Sequence, residues 1–249
     1  MRDELTWQPL SDVLRRMGEA GRSVRLWLRD DDAVEPTPAL ERLLDLTHQA
    51  SVPLSLAVIP AFTGAALADR LRMEPHAAVT VHGWSHENHA ADHGKKRELG
   101  PDRPNAVVLG ELRNGFDKLH ALYPTRLDPV LVPPWNRINA ALLTELAPLG
   151  FRAVSVYGAA DPESPIKLIN THIDIMDWLG TRGGRPHADL VNLLVAELET
   201  RLVGSEEPIG LLTHHLVHDE VCWDFMAKLF AVTAESSAVR WHPLRDLLD

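Results

Sequence analysis

The chain has 249 residues, 45% hydrophobic and 24% charged, with a formal net charge of −10. This is the composition of a soluble globular protein large enough to bury a sizeable core, and its acidic balance makes nucleic acid and anionic membrane surfaces poor partners. A single cysteine, Cys222, excludes an intramolecular disulfide; MRDELTWQPL lacks the apolar core of a signal peptide and no run of ~18 apolar residues occurs, so a cytoplasmic setting is expected.

Short apolar runs alternate with amphipathic stretches along the chain. VRLWLRD (24–30) reads as a buried strand running into acids, and TPALERLLDLTHQA (37–50) as a helix capped near Thr37. A strand follows over 53–60, a helix over 63–73 and a strand over 77–83 that ends at a histidine. The polar segment 87–104 reads as a loop, with a long helix over 105–124 and a strand over 128–135 stopped by two prolines. A helix over 138–150, strands over 151–158 and 168–176, a helix over 185–204, a strand over 207–215, a helix over 219–235 and a short strand within 238–244 complete the pattern. Seven or eight strands, most followed by a helix, predict a parallel sheet wrapped by helices, and at this count a single barrel domain over 1–249.

The chemistry-bearing residues sit at strand C-terminal ends, which share one face of a parallel barrel. Asp30, Asp31 and Asp32 follow the first strand; like charges this close repel unless a cation intervenes, and a metal ion or Arg29 is the natural partner. A solvated acidic turn would look the same. His82 and His86, four apart in VHGWSHENHA, place two imidazoles on one side of a turn. With an aspartate from another strand end they form a two-histidine, one-carboxylate set with open coordination positions; His89 and His93 read as surface or supporting residues that could substitute. In LVPPWNRIN, Trp135 could wall a pocket and stack on a sugar ring, or sit in the core beside a helix cap at Asn136. His214, first of the pair ending the late strand, could act as a general acid, and Asp174, Asp177 and Trp178 could orient it or line the pocket. No Gly-rich or basic cradle for phosphate is visible.

In this order the motifs resemble those of the polysaccharide deacetylase family, carbohydrate esterase family 4, as a divergent member. That family has a TFDDG-type motif, then H-(S/T)-x-x-H, an R-x-P-Y type, a D-x-x-D-W type and a late L-x-L-H, and each has a counterpart here between residues 24 and 215. The resemblance implies a distorted (β/α)7–8 barrel with zinc or another divalent ion. It implies Asp31 as general base and Asp32, His82 and His86 as metal ligands, with the alternative register Asp30 and Asp31 open. It implies His214 as general acid, and Trp135, Arg137, Arg29 and Asp177 are expected at the substrate. Gly83 stands where the family has Ser or Thr, and Val132-Pro133-Pro134-Trp135 lacks the family's arginine, whose space Arg29 or Arg137 could fill. The implied activity is metal-dependent removal of an acyl group, such as acetyl, from an amino sugar or related oligosaccharide. Hydrolysis of a non-carbohydrate, cyclic amide and a catalytically silent metal- or sugar-binding barrel are the rivals. Oligomeric state is not legible.

Overall fold

The computed structural model describes residues 2–249. Its elements are α1 (Arg2–Glu19), β1 (Val24–Ala33), α2 (Pro38–Gln49), β2 (Leu54–Val58), α3 (Ala65–Leu71), β3 (Ala77–His82), α4 (Asn105–Leu122), β4 (Leu127–Val132), α5 (Ala140–Leu143), β5 (Ala153–Val154), β6 (Lys167–Leu168), β7 (Ile173–Asp174), α6 (His187–Leu202), β8 (Ile209–Thr213), α7 (Glu220–Ala234) and β9 (Val239–Trp241). Among the described residues no helix is long and apolar enough to cross a membrane.

The sheet runs β6-β5-β4-β3-β2-β1-β8-β7, and every ladder is parallel. Its two ends belong to one stretch of chain. Residues 167–171 pair with β5 and its continuation, through Ile169 N–H to Val154 O (3.0 Å) and Thr171 N–H to Val156 O (2.9 Å). The next residues pair with β8, through His172 N–H to Gly210 O (2.7 Å) and Ile175 N–H to Leu212 O (3.2 Å). A continuous segment thus changes partners midway and closes the sheet into a distorted barrel, as the strand expected over 168–176 required.

Two differences from the sequence reading have local causes. The helix α1 was not anticipated, because Pro9 interrupts its pattern and its ends are charged. It forms because Trp7, Leu10, Val13, Leu14 and Met17 recur on one face and are buried, with Trp7 stacked on Phe225 of α7 at 5.4 Å. The helix expected over 138–150 stops after one turn: Asn139 caps it through Ala141 N–H, and Pro148 and Gly150 (φ +103°) confine the rest to a 3-10 turn, Ala147–Leu149.

Side-chain alternation along β1 separates two buried regions. Leu26 and Leu28 pack outward into the main core under the helices. Trp27 points the other way, into a cluster with Val130, Ala153, Ile169, Leu244, Leu247 and Leu248. The barrel interior is therefore plugged from its N-terminal end by the C-terminal turn of the chain. Arg245 in that turn pairs with Asp128 of β4, Nε to Oδ1 at 3.2 Å.

Burial pushes the Asp128 carboxyl up to about 6 from an ordinary 3.8, against the pull of Arg245. Between about pH 4 and 6 the folded chain binds the extra proton, so this group's contribution to stability falls as pH rises through that window. Urea unfolding of Asp128→Asn should show the variant gaining on the native chain from pH 4 to 6 and holding level above it. A difference flat with pH would mean that Asp128 titrates normally.

Candidate active site

Three consecutive carboxylates end β1, and each has its own partners. Asp30 is fully buried: its Oδ2 accepts from Thr213 Oγ1 (2.7 Å) and the His215 amide (2.9 Å), and its Oδ1 pairs with His215 Nδ1. Asp31, on the inner face two residues beyond Arg29, pairs with that guanidinium: Nη2 donates to Oδ2 at 3.1 Å, and Nε lies 2.9 Å from Oδ1 without the alignment of a hydrogen bond. Arg29 has no exposed surface, and its remaining donors reach Ser155 O (3.0 Å), Ser155 Oγ (2.8 Å) and Asn136 Oδ1 (2.7 Å).

Asp32 would face away from Asp31 in a regular strand. Instead the β1–β2 register shifts between Asp30 and Ala33, and Asp32 takes a left-handed backbone, φ +74°. That irregularity turns its carboxylate toward the ends of β3, where Oδ1 lies 3.1 Å from His82 Nε2 and 3.4 Å from His86 Nε2. The donor atoms of Asp32, His82 and His86 all fall within 4.8 Å of one another. Ligands around a tetrahedral zinc, at roughly 2.1 Å from the ion, sit about 3.4 Å apart.

The hydrogen bonding of His82 tests whether these residues fit a cation. Its Nδ1 lies 2.9 Å from the carbonyl of Val132, which only accepts, so Nδ1 carries a hydrogen. In the neutral ring Nε2 is then a bare lone pair beside a carboxylate, a repulsion relieved by a proton on Nε2 or by a metal ion between them. The electrostatics agree. Burial disfavours charge on both groups, yet Asp31 and Asp32 hold His82 above its ordinary value, and His82 holds Asp32 well below the carboxylate range. Burial and His82 together keep His86 below its ordinary value, so it remains a neutral donor.

The loop carrying His86 is shaped by a residue the sequence reading missed. Glu98, 1% exposed, reaches back to accept from the amides of Trp84 (3.1 Å), Ser85 (2.8 Å) and His86 (3.2 Å). Gly83 (φ +56°) leaves space for it: a Cβ there would collide with the Glu98 carboxylate and stand 2.7 Å from the Pro134 ring. Both the glycine and the left-handed His86 (φ +58°) are consistent with this nest of donors around an anion. Glu98 lies in a polar loop where nothing in the sequence separates it from its neighbours.

On the other flank stands His214, with Nε2 4.0 Å from Asp31 Oδ2 and Nδ1 buried without a partner. The Trp178 edge meets its ring at 4.8 Å, and Trp178 Nε1 donates to Asp174 Oδ2 at 2.8 Å. Burial raises the Asp174 carboxyl above its ordinary value, and His214 opposes that shift. Of the two motif aspartates, Asp174 is linked to His214 through the Trp178 indole. Asp177 is half-buried and accepts from the Gly180 and Thr181 amides (3.0 and 2.9 Å) in a turn. Trp135 lies against His86, ring centres 4.3 Å apart, on a left-handed backbone (φ +56°) that Asn136 shares (φ +55°). Arg137 donates to Lys96 O at 2.8 Å and tethers the 87–104 loop. His89 and His93 are not members of the Asp32–His82–His86 cluster.

Removal of the Glu98 carboxylate should loosen the histidine loop rather than the fold. Calorimetric titration of Glu98→Ala with Zn2+ should show about 10–100-fold weaker binding at the Asp32 site, the usual cost of losing a group that positions a ligand. Glu98→Gln, which keeps one acceptor oxygen, should fall between. Native affinity in Glu98→Ala would show that the loop holds itself.

No protein-family model matches the sequence, and no curated protein matches it. Solved structures do. A candidate polysaccharide deacetylase from Mycobacterium smegmatis superposes with a TM-score of 0.67 at 16% identity, covering 92% of this chain and 90% of its own. A family 4 carbohydrate esterase from Streptomyces lividans, in complex with acetate, gives 0.55 at 13% identity over 87% and 90%. A family 4 acetyl xylan esterase from Clostridium thermocellum, in complex with a cobalt ion, gives 0.51 at 15% identity over 90% and 89%. At these identities the likeness is one of fold, and the fold is that of the polysaccharide deacetylases.

Proposed function

We propose that the chain is a metal-dependent hydrolase that removes an acyl group, most simply acetyl, from an amino sugar or related carbohydrate. One observation carries the reading: two acid–base side chains, Asp31 and His214, flank a three-residue cation site formed by Asp32, His82 and His86. A silent metal-binding site needs neither flanking group. The fold shared with carbohydrate esterases supports the substrate class.

A divalent ion held by Asp32, His82 and His86, zinc or a relative, supplies Lewis acidity toward the acyl carbonyl and toward water. The protein's own groups do the rest. Asp31 is the general base, taking the proton of the attacking water. Arg29 donates to its Oδ2 from Nη2, and Ser155 and Asn136 hold the guanidinium in turn, which positions the carboxylate. His214 is the general acid, protonating the departing amine or alcohol from Nε2. Its Nδ1 is buried without a partner, and Nε2 is the ring nitrogen that faces Asp31. Trp135 against His86 offers a flat apolar wall on which a sugar ring stacks.

The test is acetate release from chitin oligomers and acetylated xylan, with small cyclic amides as the opposing substrates. Release should stop on chelation and return with Zn2+. Asp31→Asn should lower kcat by about 10²–10⁴-fold while zinc affinity is kept. Turnover of cyclic amides alone would move the substrate class, and stoichiometric zinc with no turnover on any acyl substrate would leave a silent barrel.

A further inference from the structure

We infer that the chain carries a second divalent-metal site at the opposite end of the barrel, formed by His48, Glu74 and His76. His48 lies in the last turn of α2, and Glu74 and His76 lie in the turn that leads from α3 into β3. All three offer donor atoms within 4.8 Å of one another. His76 immediately precedes β3 and His82 ends it, six residues apart and so about 20 Å at strand rise. The two sites cannot share an ion.

The hydrogen-bond inventory of His76 points to a ligand. Thr47 Oγ1 gives its proton to the carbonyls of Leu43 (2.8 Å) and Leu44 (3.1 Å), so toward His76 Nε2 at 3.1 Å it accepts. That places the ring hydrogen on Nε2 and leaves Nδ1 as a lone pair. Nδ1 is buried, takes no hydrogen bond and lies 3.5 Å from Glu74 Oε2. A lone pair facing a carboxylate oxygen is the arrangement seen at His82, and it calls for a cation in the same way. Glu74 is itself positioned: Arg70 Nη1 holds Oε1 at 2.7 Å, which leaves Oε2 for the ion. His48 Nδ1 lies 4.0 Å from that oxygen, and its ring packs edge-on against His76 at 5.2 Å. These spacings approach the roughly 3.4 Å between ligands of a tetrahedral zinc, and two imidazoles with one carboxylate suit Zn2+, Co2+ or Ni2+ over Mg2+ or Ca2+.

Two cations temper the site. Arg70 touches Glu74, and Arg126 donates to the Glu74 carbonyl (2.6 Å). The ion therefore binds more weakly here than at the Asp32 site, whose carboxylate has no arginine on it among the described residues. His48 is exposed, so the ion enters from solvent and keeps at least one water. Its effect is to tie the end of α2 to the start of β3.

Zinc titration of the full-length chain by calorimetry tests this, with His48→Ala and Glu74→Gln as variants. His48 is on the surface, and Gln keeps the hydrogen bond to Arg70, so both variants fold. The native chain should take up two Zn2+, the second more weakly, and each variant should lose only the weaker site, by about tenfold or more in affinity. Asp32→Asn should weaken the other site and leave this one. Survival of the weaker site in both His48→Ala and Glu74→Gln, or a native stoichiometry that these variants do not change, overturns the proposal. Failure of the Asp32 site leaves the His48-dependent uptake in place, so the two readings fall separately.

Discussion

Three adjacent carboxylates at the end of a buried strand set the terms for everything around them. Side by side in a medium of low polarity they cannot stay charged on mutual tolerance. The fold gives each a separate counterpart. Asp30 faces outward to Thr213 and His215, Asp31 faces inward to Arg29, and Asp32 is swung by a backbone irregularity toward His82 and His86. Arg29 satisfies Asp31 with full positive charge. The imidazoles beside Asp32 can match its charge only by taking up a proton or by sharing a metal ion with it. The two-imidazole donor set is what turns an electrostatic problem into a candidate catalytic centre.

The assignment of roles follows from which faces the strand offers. In the alternating geometry of β1, Trp27, Arg29 and Asp31 share the interior side, and Asp30 belongs with Leu26 and Leu28 on the side of the helices. The two registers of the aspartate motif therefore differ physically. Asp30, with no exposed surface and both oxygens engaged, has no path to a water or a substrate. Asp31 is also buried, but its Oδ2 lies 4.0 Å from His214 Nε2, and Asp32 is partly exposed beside His82 and His86, which supports the register with Asp31 as base and Asp32 as ligand.

The elements and the barrel were legible because burial writes periodicity into sequence. β1, β2, β3 and β8 are short apolar runs between amphipathic stretches, and the helices carry apolar residues three and four apart. The pair His82 and His86 was legible from its spacing at a strand end. Less local facts were not. The helix α1 hides behind Pro9, and its apolar face gains meaning only against α6 and α7. Glu98 and Asn136 act across 12 and 107 residues of chain, and their neighbours in sequence carry no trace of the amides or the guanidinium they serve. Asp174 and Asp177 differ by three positions in one motif, yet one accepts from the Trp178 indole that meets His214 and the other caps a turn. Spacing alone could not separate them.

The arginine absent from the Val132-Pro133-Pro134-Trp135 loop shows how one change propagates. A guanidinium delivered from a neighbouring strand end would need that loop to point a long side chain at Asp31. Here Arg29 comes from two residues upstream on the same strand as Asp31, where alternation already aims it at that carboxylate. The loop is thereby released from that duty. Its left-handed pair, Trp135 and Asn136, instead sends an indole onto His86 and an amide oxygen onto Arg29. Trp135 thus walls the candidate metal centre on the side where the loop rises, and Asn136 locks the guanidinium from behind. Ser155, just past β5, accepts twice from Arg29 Nη1 and so satisfies that nitrogen in the interior. The charge of Asp31 is balanced inside one strand, and the surrounding strand ends are left to shape what reaches it.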